Sequence, residues 1–530
     1  MVTEDQSEVI AFLLRPETYG DGTAGVEHLE THSAMVFLAG DRALKLKRAV
    51  LYDYLDFSTA ERRRHWCEAE VALNRRMAPA IYRGTAVVTR ESGGRLALDG
   101  PGAPVEWLVD MTRFDGQALA DRLAESGTLP LTAMAPLAAS VAALHAGATH
   151  RPDAGGAAGM RWVADGNREA LAGFGDALFP DPARARLVRD TARALDAGAA
   201  RLDQRRASGL VRQCHGDLHL GNIVLLDGAP TLFDAVEFND DISCIDVVYD
   251  LAFLLMDLWH RGLPRHANLV LNEYLRLTGD LESLALLPLF LACRAAVRAK
   301  TNATAATLAG DAAARQPLVD AAHQYLELAQ RFLTPPGPVL VAIGGRSGSG
   351  KSTAAAAVAH AIGPAPGALH LRTDLIRKQL CGVAPLTRLP AEAYAADMTA
   401  RVYAHLRRQA ASALAAGHAV VCDGVFGEAW ERRALDDLAR ESGAPFVRLW
   451  LDAPDVTLLA RVTARRGDVS DATGDVVERQ AAHVQSPPDW ARLDATGAPE
   501  DTAGRVIEAL GAAGVPTAIN ARPTGHASPE

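Results

Sequence analysis

The spacing of apolar residues divides the chain into two regions with different predicted architectures. In the first region, the apolar run at 34–38 and the alternating run at 43–47 flank the turn Gly40-Asp41, which predicts a β-hairpin. A helical pattern covers 59–77, strand patterns return at 84–88, 95–98 and 105–111, and helical spacing dominates from 116 to 333. This order predicts a small sheet followed by a larger helical part, which a polar segment interrupts at 211–239.

The second region alternates short apolar runs with helical patterns. The runs lie at 339–345, 368–372, 419–423 and 446–451, and this alternation is typical of a parallel sheet covered by helices. The proline cluster at 334–338 separates the two regions, because proline prevents a helix from continuing. We therefore predict an α+β domain over 1–333, a linker at 334–338, a doubly wound α/β domain over 339–520 and a disordered tail over 521–530.

A glycine-rich motif lies at the end of the first strand of the second domain. Residues 345–352 match G-x-x-x-x-G-K-[ST] and stand between a predicted strand and a predicted helix, as a phosphate-binding P-loop requires. Backbone N–H groups and the helix N-terminus would hold the phosphates of ATP, Lys351 would reach the β and γ phosphates, and Ser352 would bind Mg²⁺. The predicted nucleotide-binding residues are Gly345, Arg346, Ser347, Gly348, Ser349, Gly350, Lys351, Ser352 and Thr353.

Charged residues downstream of the P-loop are candidates for phosphoryl transfer. Asp374 follows one apolar strand and Asp423 ends another, where ligands of open α/β sheets bind. Asp374 would accept the proton of a substrate hydroxyl or hold Mg²⁺, and Asp423 would be a metal ligand. Arg461 and Arg465, four residues apart on a predicted helix, would close over the transferred phosphate. The alternatives are a helix N-cap at Thr373 or Asp374, a surface turn at Asp423 and a solvated arginine face.

The polar segment of the first domain contains a second motif. The run from His215 to Asn222, H-G-D-L-H-L-G-N, has the spacing of a kinase catalytic loop and is followed by Asp234. Asp217 would orient and deprotonate an acceptor hydroxyl, while Asn222 and Asp234 would hold Mg²⁺. A hairpin that turns at 227–228 would bring Asn222 and Asp234 side by side. The alternative is a polar loop whose His and Asp side chains cap turns.

A lysine that anchors ATP is predicted on the second strand of the first hairpin. Lys45 and Lys47 lie on the same face of that strand, and we favour Lys45, with Glu70 on the next helix as its partner and Glu68 as the alternative. The other interpretation of either lysine is a solvated charge on an edge strand. The segment 106–111 is predicted to be the hinge that offers backbone groups to adenine. Three acidic residues would either bind a cationic substrate or support the loop: Glu237, Asp246 and Asp250.

With these motifs, residues 25–330 resemble the aminoglycoside phosphotransferase-like kinases, which carry an H-G-D-x-H-x-x-N loop. Residues 335–515 resemble AAA-type P-loop kinases of the gluconate kinase, shikimate kinase and zeta-toxin-like families, and the whole chain resembles bacterial proteins that fuse the two. The resemblance implies ATP and Mg²⁺ as cofactors and transfer of the γ-phosphate to hydroxyls of small molecules. The lack of a G-x-G-x-x-G loop and the run Asp234-Ala-Val disfavour a regulated protein kinase.

Composition narrows the class of partner. The formal net charge of −10 disfavours nucleic acid and anionic membranes as partners, and no apolar run approaches the ~20 residues that span a bilayer. The cysteines lack C-x-x-C spacing and the first residues, MVTEDQSEVI, do not resemble a signal peptide, so a cytoplasmic location is expected. The alternative functions are nucleotide sensing without transfer and phosphorylation of a nucleotide or polynucleotide end. The sequence does not indicate an oligomeric state.

Overall fold

The computed structural model describes residues 2–20, 23–52, 54–176 and 178–516. The predicted tail at 521–530, like the last residues of the predicted second domain, lies outside these ranges. In chain order the strands are β1 (Glu27–Glu30), β2 (Ala34–Ala39), β3 (Arg42–Lys47), β4 (Leu51–Tyr52), β5 (Leu55–Asp56), β6 (Tyr82–Arg90), β7 (Leu96–Leu98), β8 (Ala103–Thr112), β9 (Val211–Gln213), β10 (Ile223–Leu226), β11 (Ala229–Leu232), β12 (Cys244–Asp246), β13 (Leu340–Gly345), β14 (Leu369–Arg372), β15 (Val420–Asp423), β16 (Phe446–Asp452) and β17 (Ala491–Asp494).

The helices follow the same order along the described chain. They are α1 (Ser7–Leu13), α2 (Ala60–Asn74), α3 (Ala120–Glu125), α4 (Met134–Gly147), α5 (Gly156–Gly173), α6 (Asp181–Ala207), α7 (Asp240–Ser243), α8 (Val247–His260), α9 (Pro264–Thr278), α10 (Leu287–Leu308), α11 (Ala312–Phe332), α12 (Lys351–Val358), α13 (Thr373–Leu380), α14 (Ala396–Ala415), α15 (Ala429–Ser442), α16 (Asp455–Ala464), α17 (Gly474–His483) and α18 (Pro499–Ala512). None of these described helices has both the length and the apolar character that crossing a bilayer requires.

The chain forms two compact units. The first unit comprises the residues up to Gly166 together with Leu195–Asp257, and the second comprises Asn167–Ala194 together with the residues from Leu258 onward. The predicted linker at 334–338 runs between α11 and β13, inside the second unit. Helices α9 to α11, which precede that linker in sequence, therefore belong to the same unit as the P-loop.

A six-stranded antiparallel sheet in the order β1-β2-β3-β8-β6-β7 forms the core of the first unit. Leu44 and Leu46 of β3 pack in the same cluster as α1, whereas Ala43 packs in the cluster that contains α2. Because successive side chains of a strand point to opposite faces, Lys45 and Lys47 lie on the α2 face. The strand pleat therefore points both lysines at the helix that carries Glu70.

Two predicted hairpins in this unit are confirmed. Strands β2 and β3 pair across the turn at 40–41, and β10 and β11 pair across the turn at 227–228. Asp227 and Gly228 have φ angles of 50° and 80°, the left-handed values that a two-residue type I′ turn requires and that Asp-Gly tolerates well. Beyond the second hairpin, the N–H of Phe233 donates to the carbonyl of Asn222 at 3.1 Å, which continues the pairing to the neighbour of Asp234.

The prediction that 106–111 is an interlobe hinge is wrong. These residues lie inside β8, where their backbone groups pair with β3 on one side and β6 on the other. The side chain of Glu106 is also buried, and Arg63 Nε donates to its carboxylate at 2.9 Å. A central strand has no backbone groups left for adenine, because both of its edges are already paired.

The second unit contains a five-stranded parallel sheet in the order β14-β15-β13-β16-β17. The four predicted apolar strands are confirmed, and their side chains pack with α12 and α18 in one apolar core. The fifth strand, β17, was not predicted, because its sequence Ala-Arg-Leu-Asp is polar and largely exposed. Edge strands of a parallel sheet need no continuous apolar run, so a pattern search misses them.

Helix α9 covers the open edge of this sheet at β14. The side-chain amides of Asn268 and Asn272 donate to the carbonyl of Ala368 at 3.0 and 3.2 Å, and Asn272 Oδ1 accepts the N–H of His370 at 2.7 Å. Two asparagines thus satisfy edge groups that would otherwise be open to another strand. The contact also fixes β14, whose next residues are Thr373 and Asp374.

Candidate active sites

Two buried aspartates hold the backbone of the catalytic-loop motif in the first unit. Asp250, which is fully buried, accepts the backbone N–H groups of His215 at 3.1 Å and Gly216 at 2.8 Å. Asp257 accepts the N–H of Leu220 at 3.0 Å. Charged acceptors make the stronger kind of hydrogen bond, so this loop conformation is held independently of any ligand.

The three acidic residues with an open role are all engaged inside the unit. Asp250 supports the loop and lies 3.0 Å from Nε2 of His145, a buried contact between residues 105 positions apart that no local pattern indicates. Asp246 pairs with Arg205 through hydrogen bonds of 2.6 and 2.9 Å, and both side chains are buried. Glu237 is paired with a lysine described below. Support, rather than binding of a cationic substrate, is the role that fits these contacts.

Asp217 is the exposed carboxylate of the loop. Asn222 Nδ2 donates to its carbonyl at 2.9 Å and to Oδ2 at 3.2 Å, and the Asp217 side chain remains 43% exposed. His219 Nδ1 accepts the N–H of Gly221 at 3.1 Å, so in the neutral ring the proton lies on Nε2, which is 3.3 Å from Asp217 Oδ2. The carboxylate is therefore oriented by Asn222 and His219, and nearly half of its side chain faces solvent.

Two lysines share one buried glutamate on the sheet side of this site. Lys45 Nζ lies 2.9 Å from Glu70 Oε1 and 2.6 Å from Asp234 Oδ1, and Lys47 Nζ lies 2.5 Å from Glu70 Oε2 and 2.6 Å from Glu237 Oε1. Burial raises the pKa of Glu70, but the two lysines outweigh it and hold that pKa at about 2. The structure thus brings together the predicted pair Lys45 and Glu70, with Asp234 as a further partner.

The alternative partner and the alternative lysine occupy different positions. Glu68 faces solvent and pairs with Arg64 at 2.9 Å, away from the lysines. Lys47 is 2% exposed, so it is not a solvated charge on an edge strand. The strand pleat predicted which face of β3 carries Lys47. It did not predict the second partner, Glu237, which lies 190 residues later and shortly after Asp234.

Backbone contacts fix Asp234 as well. This residue has a left-handed φ of 62°, and its N–H donates to Tyr82 Oη at 3.1 Å. The next residue, Ala235, donates its N–H to Asn74 Oδ1 at 2.7 Å. A strained backbone that is held by several contacts is typical of functional positions, and here it turns a half-exposed carboxylate towards Lys45.

Replacing Lys47 with methionine is expected to lower the free energy of unfolding by about 3 kcal/mol at pH 8, because Glu70 and Glu237 would stay buried with one cation fewer. The loss should shrink towards pH 5, where a carboxyl group that lacks its cation takes up a proton. Urea unfolding at both pH values measures the change. The double variant Lys47→Met/Glu237→Gln should recover much of the loss, and an equal loss at both pH values would contradict the explanation.

The P-loop of the second unit joins β13 to α12. Gly345 and Gly348 have φ angles of 144° and 86°, and a Cβ atom on them would lie 2.5 Å from the carbonyl oxygen of Leu451 and 2.6 Å from that of Leu458. Side chains are therefore excluded at both positions. This close approach to the flanking elements gives the loop its curvature.

The donors of the P-loop are arranged as a phosphate site needs them. Lys351 Nζ donates to the carbonyl of Arg346 at 3.0 Å, and burial lowers the pKa of Lys351. The N–H of Ser347 donates to Gln480 Oε1 at 2.7 Å, and backbone N–H groups of such loops are also the donors that bind phosphate oxygens. Lys351, Ser352 and Thr353 line one cavity, which is described below. The side chain of Arg346 instead pairs with Asp455 at 2.6 Å.

Asp423 ends β15, and Asp374 lies two residues after the end of the neighbouring parallel strand β14. Both line a cavity of about 590 Å³ together with Lys351. Burial raises the pKa of Asp423, but the His370 ring, whose Nε2 lies 3.5 Å from Asp423 Oδ2, and the charges of Arg372 and Lys351 bring it below its ordinary value. Burial, with the Asp423 carboxylate, raises the pKa of Asp374. Two carboxylates whose pKa values are pushed apart suit two roles, an ionised metal ligand and a proton acceptor.

The alternative of an N-cap at Thr373 or Asp374 does not fit the structure. Arg372 occupies the N-cap position of α13, and no side chain caps this end. Asp374 lies in the first turn of the helix and faces the cavity instead. Asp423 is 3% exposed and is therefore not part of a surface turn.

The prediction that Arg461 and Arg465 share one helix face is wrong, because α16 ends at Ala464. Arg461 donates to the carbonyls of Ala495, Thr496 and Gly497 at 2.7, 3.1 and 2.8 Å, and so holds the loop after β17. Arg465 follows the helix in extended conformation and lines the cavity, where its Nε lies 3.3 Å from Asp468. Of these two arginines, Arg465 lines the cavity and Arg461 does not.

Replacing Glu431 with glutamine is expected to stabilise the protein at pH 8 by about 2 kcal/mol and to leave its stability near pH 5 almost unchanged. Burial raises the pKa of Glu431 from 4.5 to about 7, so the folded state loses stability as pH rises through this interval. The glutamine side chain does not titrate in this range. Its amide oxygen can still accept the backbone N–H of Glu428, which lies 3.1 Å from Glu431 Oε2. Urea unfolding across this pH range checks the prediction, and an unchanged pH profile would contradict it.

Comparison with known proteins assigns both halves. Residues 38–287 match a family model described as phosphotransferase enzyme family, and residues 340–487 match one described as AAA domain. Over 489 residues the chain is 31% identical to the uncharacterised protein Rv2004c of Mycobacterium tuberculosis and to the uncharacterised protein Mb2027c of Mycobacterium bovis. Each match covers 90% of this chain and 93% of the relative, so the order of the two halves is shared.

Solved structures resemble each half at low identity. An amicoumacin kinase in complex with AMP-PNP, Ca²⁺ and Ami is 16% identical, with 61% of this chain and 94% of that chain covered and a TM-score of 0.37. A choline/ethanolamine kinase family protein from Mesorhizobium loti is 14% identical, with coverage of 61% and 99% and a TM-score of 0.34. A gluconokinase from Sinorhizobium meliloti is 20% identical, with coverage of 33% and 93% and a TM-score of 0.25.

Proposed function

Since the chain belongs to the phosphotransferase enzyme family and carries an additional AAA domain, we propose that it contains two ATP-dependent active sites. Each site transfers the γ-phosphate of Mg-ATP to a hydroxyl group of a small molecule. Phosphoryl transfer depends on positioning and charge neutralisation, and both units carry the groups for it. We place the reactions in the cytoplasm, where ATP and Mg²⁺ are available.

In the first site, Asp217 orients the acceptor hydroxyl and takes its proton. Asn222 and Asp234 hold Mg²⁺, since carboxylate and amide oxygens are the protein ligands that this ion prefers. Lys45 binds the nucleotide phosphates and is held in place by Glu70, with which it pairs at 2.9 Å. The metal supplies neutralisation of the charge on the phosphate oxygens.

In the second site, the P-loop N–H groups and Lys351 bind the nucleotide phosphates. Ser352 and Asp423 hold Mg²⁺, Asp374 accepts the proton of the acceptor hydroxyl, and Arg465 covers the transferred phosphate. The raised pKa of Asp374 suits a group that must take up a proton near neutral pH.

One observation carries the proposal: each unit combines a lysine suited to bind phosphate with a carboxylate that is partly exposed or lines a cavity. The side chain of Asp217, which Asn222 orients, is 43% exposed, and Asp374 lines the cavity of Lys351. A nucleotide sensor needs the lysines and the metal ligands, but it has no use for a proton acceptor at the same place.

The experiment is transfer of labelled γ-phosphate from ATP to a bacterial small-metabolite extract and to an oligonucleotide with a free 5′-hydroxyl. Wild type is compared with Asp217→Asn, with Lys351→Met and with the double variant. We expect labelled small molecules that fall into two sets, each lost in one single variant and both lost in the double variant. Binding of ATP by wild type without any labelled product would favour the sensor, and a labelled oligonucleotide would redirect the second site to polynucleotide ends.

A further inference from the structure

One loop of the second unit folds over the P-loop cavity and contributes to its wall. Residues 465–473, which we call the lid loop, connect α16 to α17. Several of them line the same cavity as Lys351: Arg465, Asp468, Ser470, Asp471, Ala472 and Thr473. The lid loop therefore brings hydroxyl and carboxylate groups of the chain itself to the place where we expect the acceptor of the second site to bind.

Asp471 anchors the second half of the lid loop. Lys378 Nζ and the backbone N–H of Leu389 each donate to its carboxylate at 3.0 Å, and Tyr394 Oη donates to it at 2.7 Å. Lys378 is 2% exposed and lies on α13, the helix that also carries Asp374. Because charged partners make the stronger kind of hydrogen bond, these contacts hold the loop against α13.

Asp468 anchors the first half of the loop at the start of the same helix. Its carboxylate lies 3.3 Å from Arg465 Nε and 3.8 Å from Nη2 of Arg372, which is the N-cap residue of α13. Its Oδ1 also accepts the backbone N–H of Ser470 at 3.0 Å. Ser470 is thus fixed between two anchored carboxylates, next to the first turn of α13, where Asp374 lies.

The hydroxyl of Ser470 is a neighbour of the Asp374 carboxylate. Burial and the charge of Asp423 raise the pKa of Asp374, and the Ser470 hydroxyl acts against this rise, as a donor beside a carboxylate does. Asp374 is the group to which we assigned the proton of an acceptor hydroxyl, and both side chains line the cavity of Lys351. The lid loop therefore presents a hydroxyl of this chain to that group.

We infer that Ser470 is itself an acceptor of the second site, so that this unit phosphorylates its own lid loop. The inference rests on the proposed function of the second site. Ser470 Oγ forms a bond to the γ-phosphorus of Mg-ATP, the bond from that phosphorus to the β–γ bridging oxygen breaks, the hydroxyl proton passes to Asp374, and ADP leaves. An acceptor that is already held beside the reacting groups needs no separate binding step, which favours transfer within one chain.

The test uses the full chain with Asp217→Asn, so that only the second site transfers, and labelled Mg-ATP without any added acceptor. Trypsin cuts after Arg466 and Arg479 and releases the peptide 467–479, whose only hydroxyl side chains are those of Ser470 and Thr473. Fragmentation in a mass spectrometer then locates the phosphate. We expect it on Ser470, with a first-order rate that does not change with protein concentration.

Variants of the loop and of the site separate this transfer from other phosphorylation. Ser470→Ala should lose the label, and Ser470→Thr should carry it as phosphothreonine at the same position. Thr473→Ala is the matched control, because Thr473 lines the same cavity and its side chain makes no capping hydrogen bond to α17, so this variant should be labelled like its parent. Lys351→Met and Asp374→Asn should each slow labelling by at least about 100-fold.

Transfer to a small-metabolite extract, measured with the same proteins, distinguishes the ways to fail. Labelled small molecules without phosphate on Ser470 would overturn the inference and leave the second site a kinase. Phosphate on Thr473, a label that survives Lys351→Met, or a first-order rate constant that rises with protein concentration would also overturn it. Phosphate on Ser470 without labelled small molecules would support the inference and contradict the proposed small-molecule acceptor. If ATP binds and nothing is labelled, the inference and the proposed transfer at this site both fail.

Discussion

Replacing Asp217 with asparagine is expected to lower the transfer rate of the first site by about 1,000-fold, while the Kd of ATP changes by less than about two-fold. Asparagine has the same shape and can still accept the hydrogen bond from Asn222 Nδ2, which is now 3.2 Å long. The loop itself is held by Asp250 and Asp257 through backbone N–H groups, so its conformation does not depend on the Asp217 carboxylate. What the variant loses is the group that takes the hydroxyl proton.

The measurement is steady-state transfer with an acceptor of the first site, together with equilibrium binding of ATP. Asp227→Asn is the matched control, because Asp227 lies in the type I′ turn of the nearby hairpin and asparagine tolerates its positive φ of 50°. This control should keep full activity. A loss below about ten-fold for Asp217→Asn would show that Asp217 is not the proton acceptor.

Residues close in sequence account for most of what could be predicted about the sites. The catalytic-loop spacing, the hairpin at 227–228 and the P-loop all lie within runs of 20 residues or fewer, where turn chemistry and strand pleat determine geometry. The pairing of Lys45 with Glu70 followed from the same local rules, because a strand face and the next helix meet in a predictable way.

The features that could not be predicted from the sequence depend on contacts between residues that are distant along the chain. His145 meets Asp250 across 105 positions, and Lys47 meets Glu237 across 190, so only the folded chain shows that these charges are compensated. Asn272 reaches β14 across 98 positions, which assigns α9 to the unit of the P-loop although a proline cluster stands between them. Proline indicates where a helix stops, but it does not determine which surfaces pack together.

Small errors in the predicted ends of helices and strands led to wrong roles for the residues at those ends. Helix α16 ends at Ala464, one residue before Arg465. Because Arg465 lies outside the helix, it lines the cavity, whereas Arg461 inside the helix holds a loop. Likewise β8 continues to Thr112, so the segment expected to bind adenine lies inside the sheet, paired with β6 along its length and with β3 from Leu108 onward. Helix and strand ends are the features that residue patterns determine least well.

Replacing Lys351 with methionine is expected to reduce transfer at the second site by at least about 100-fold and to weaken ATP binding there, with little loss of stability. Lys351 is partly buried, and in the described part of the chain no carboxylate lies within ion-pair distance of its Nζ, which donates to the carbonyl of Arg346. Burial already lowers its pKa, so the folded protein gains little from this charge in the absence of a phosphate. Removing it therefore costs binding and transfer rather than folding.

Lys300→Met is the matched control for this prediction. Lys300 belongs to the same unit, and burial lowers its pKa as well, but it lies on α10 and does not line the P-loop cavity. We expect Lys300→Met to keep transfer at the second site, and Lys351→Met to keep transfer at the first. If the Lys351→Met variant instead unfolds at a much lower urea concentration than wild type does, Lys351 has a structural role. If it retains transfer, the P-loop does not bind the transferred phosphate.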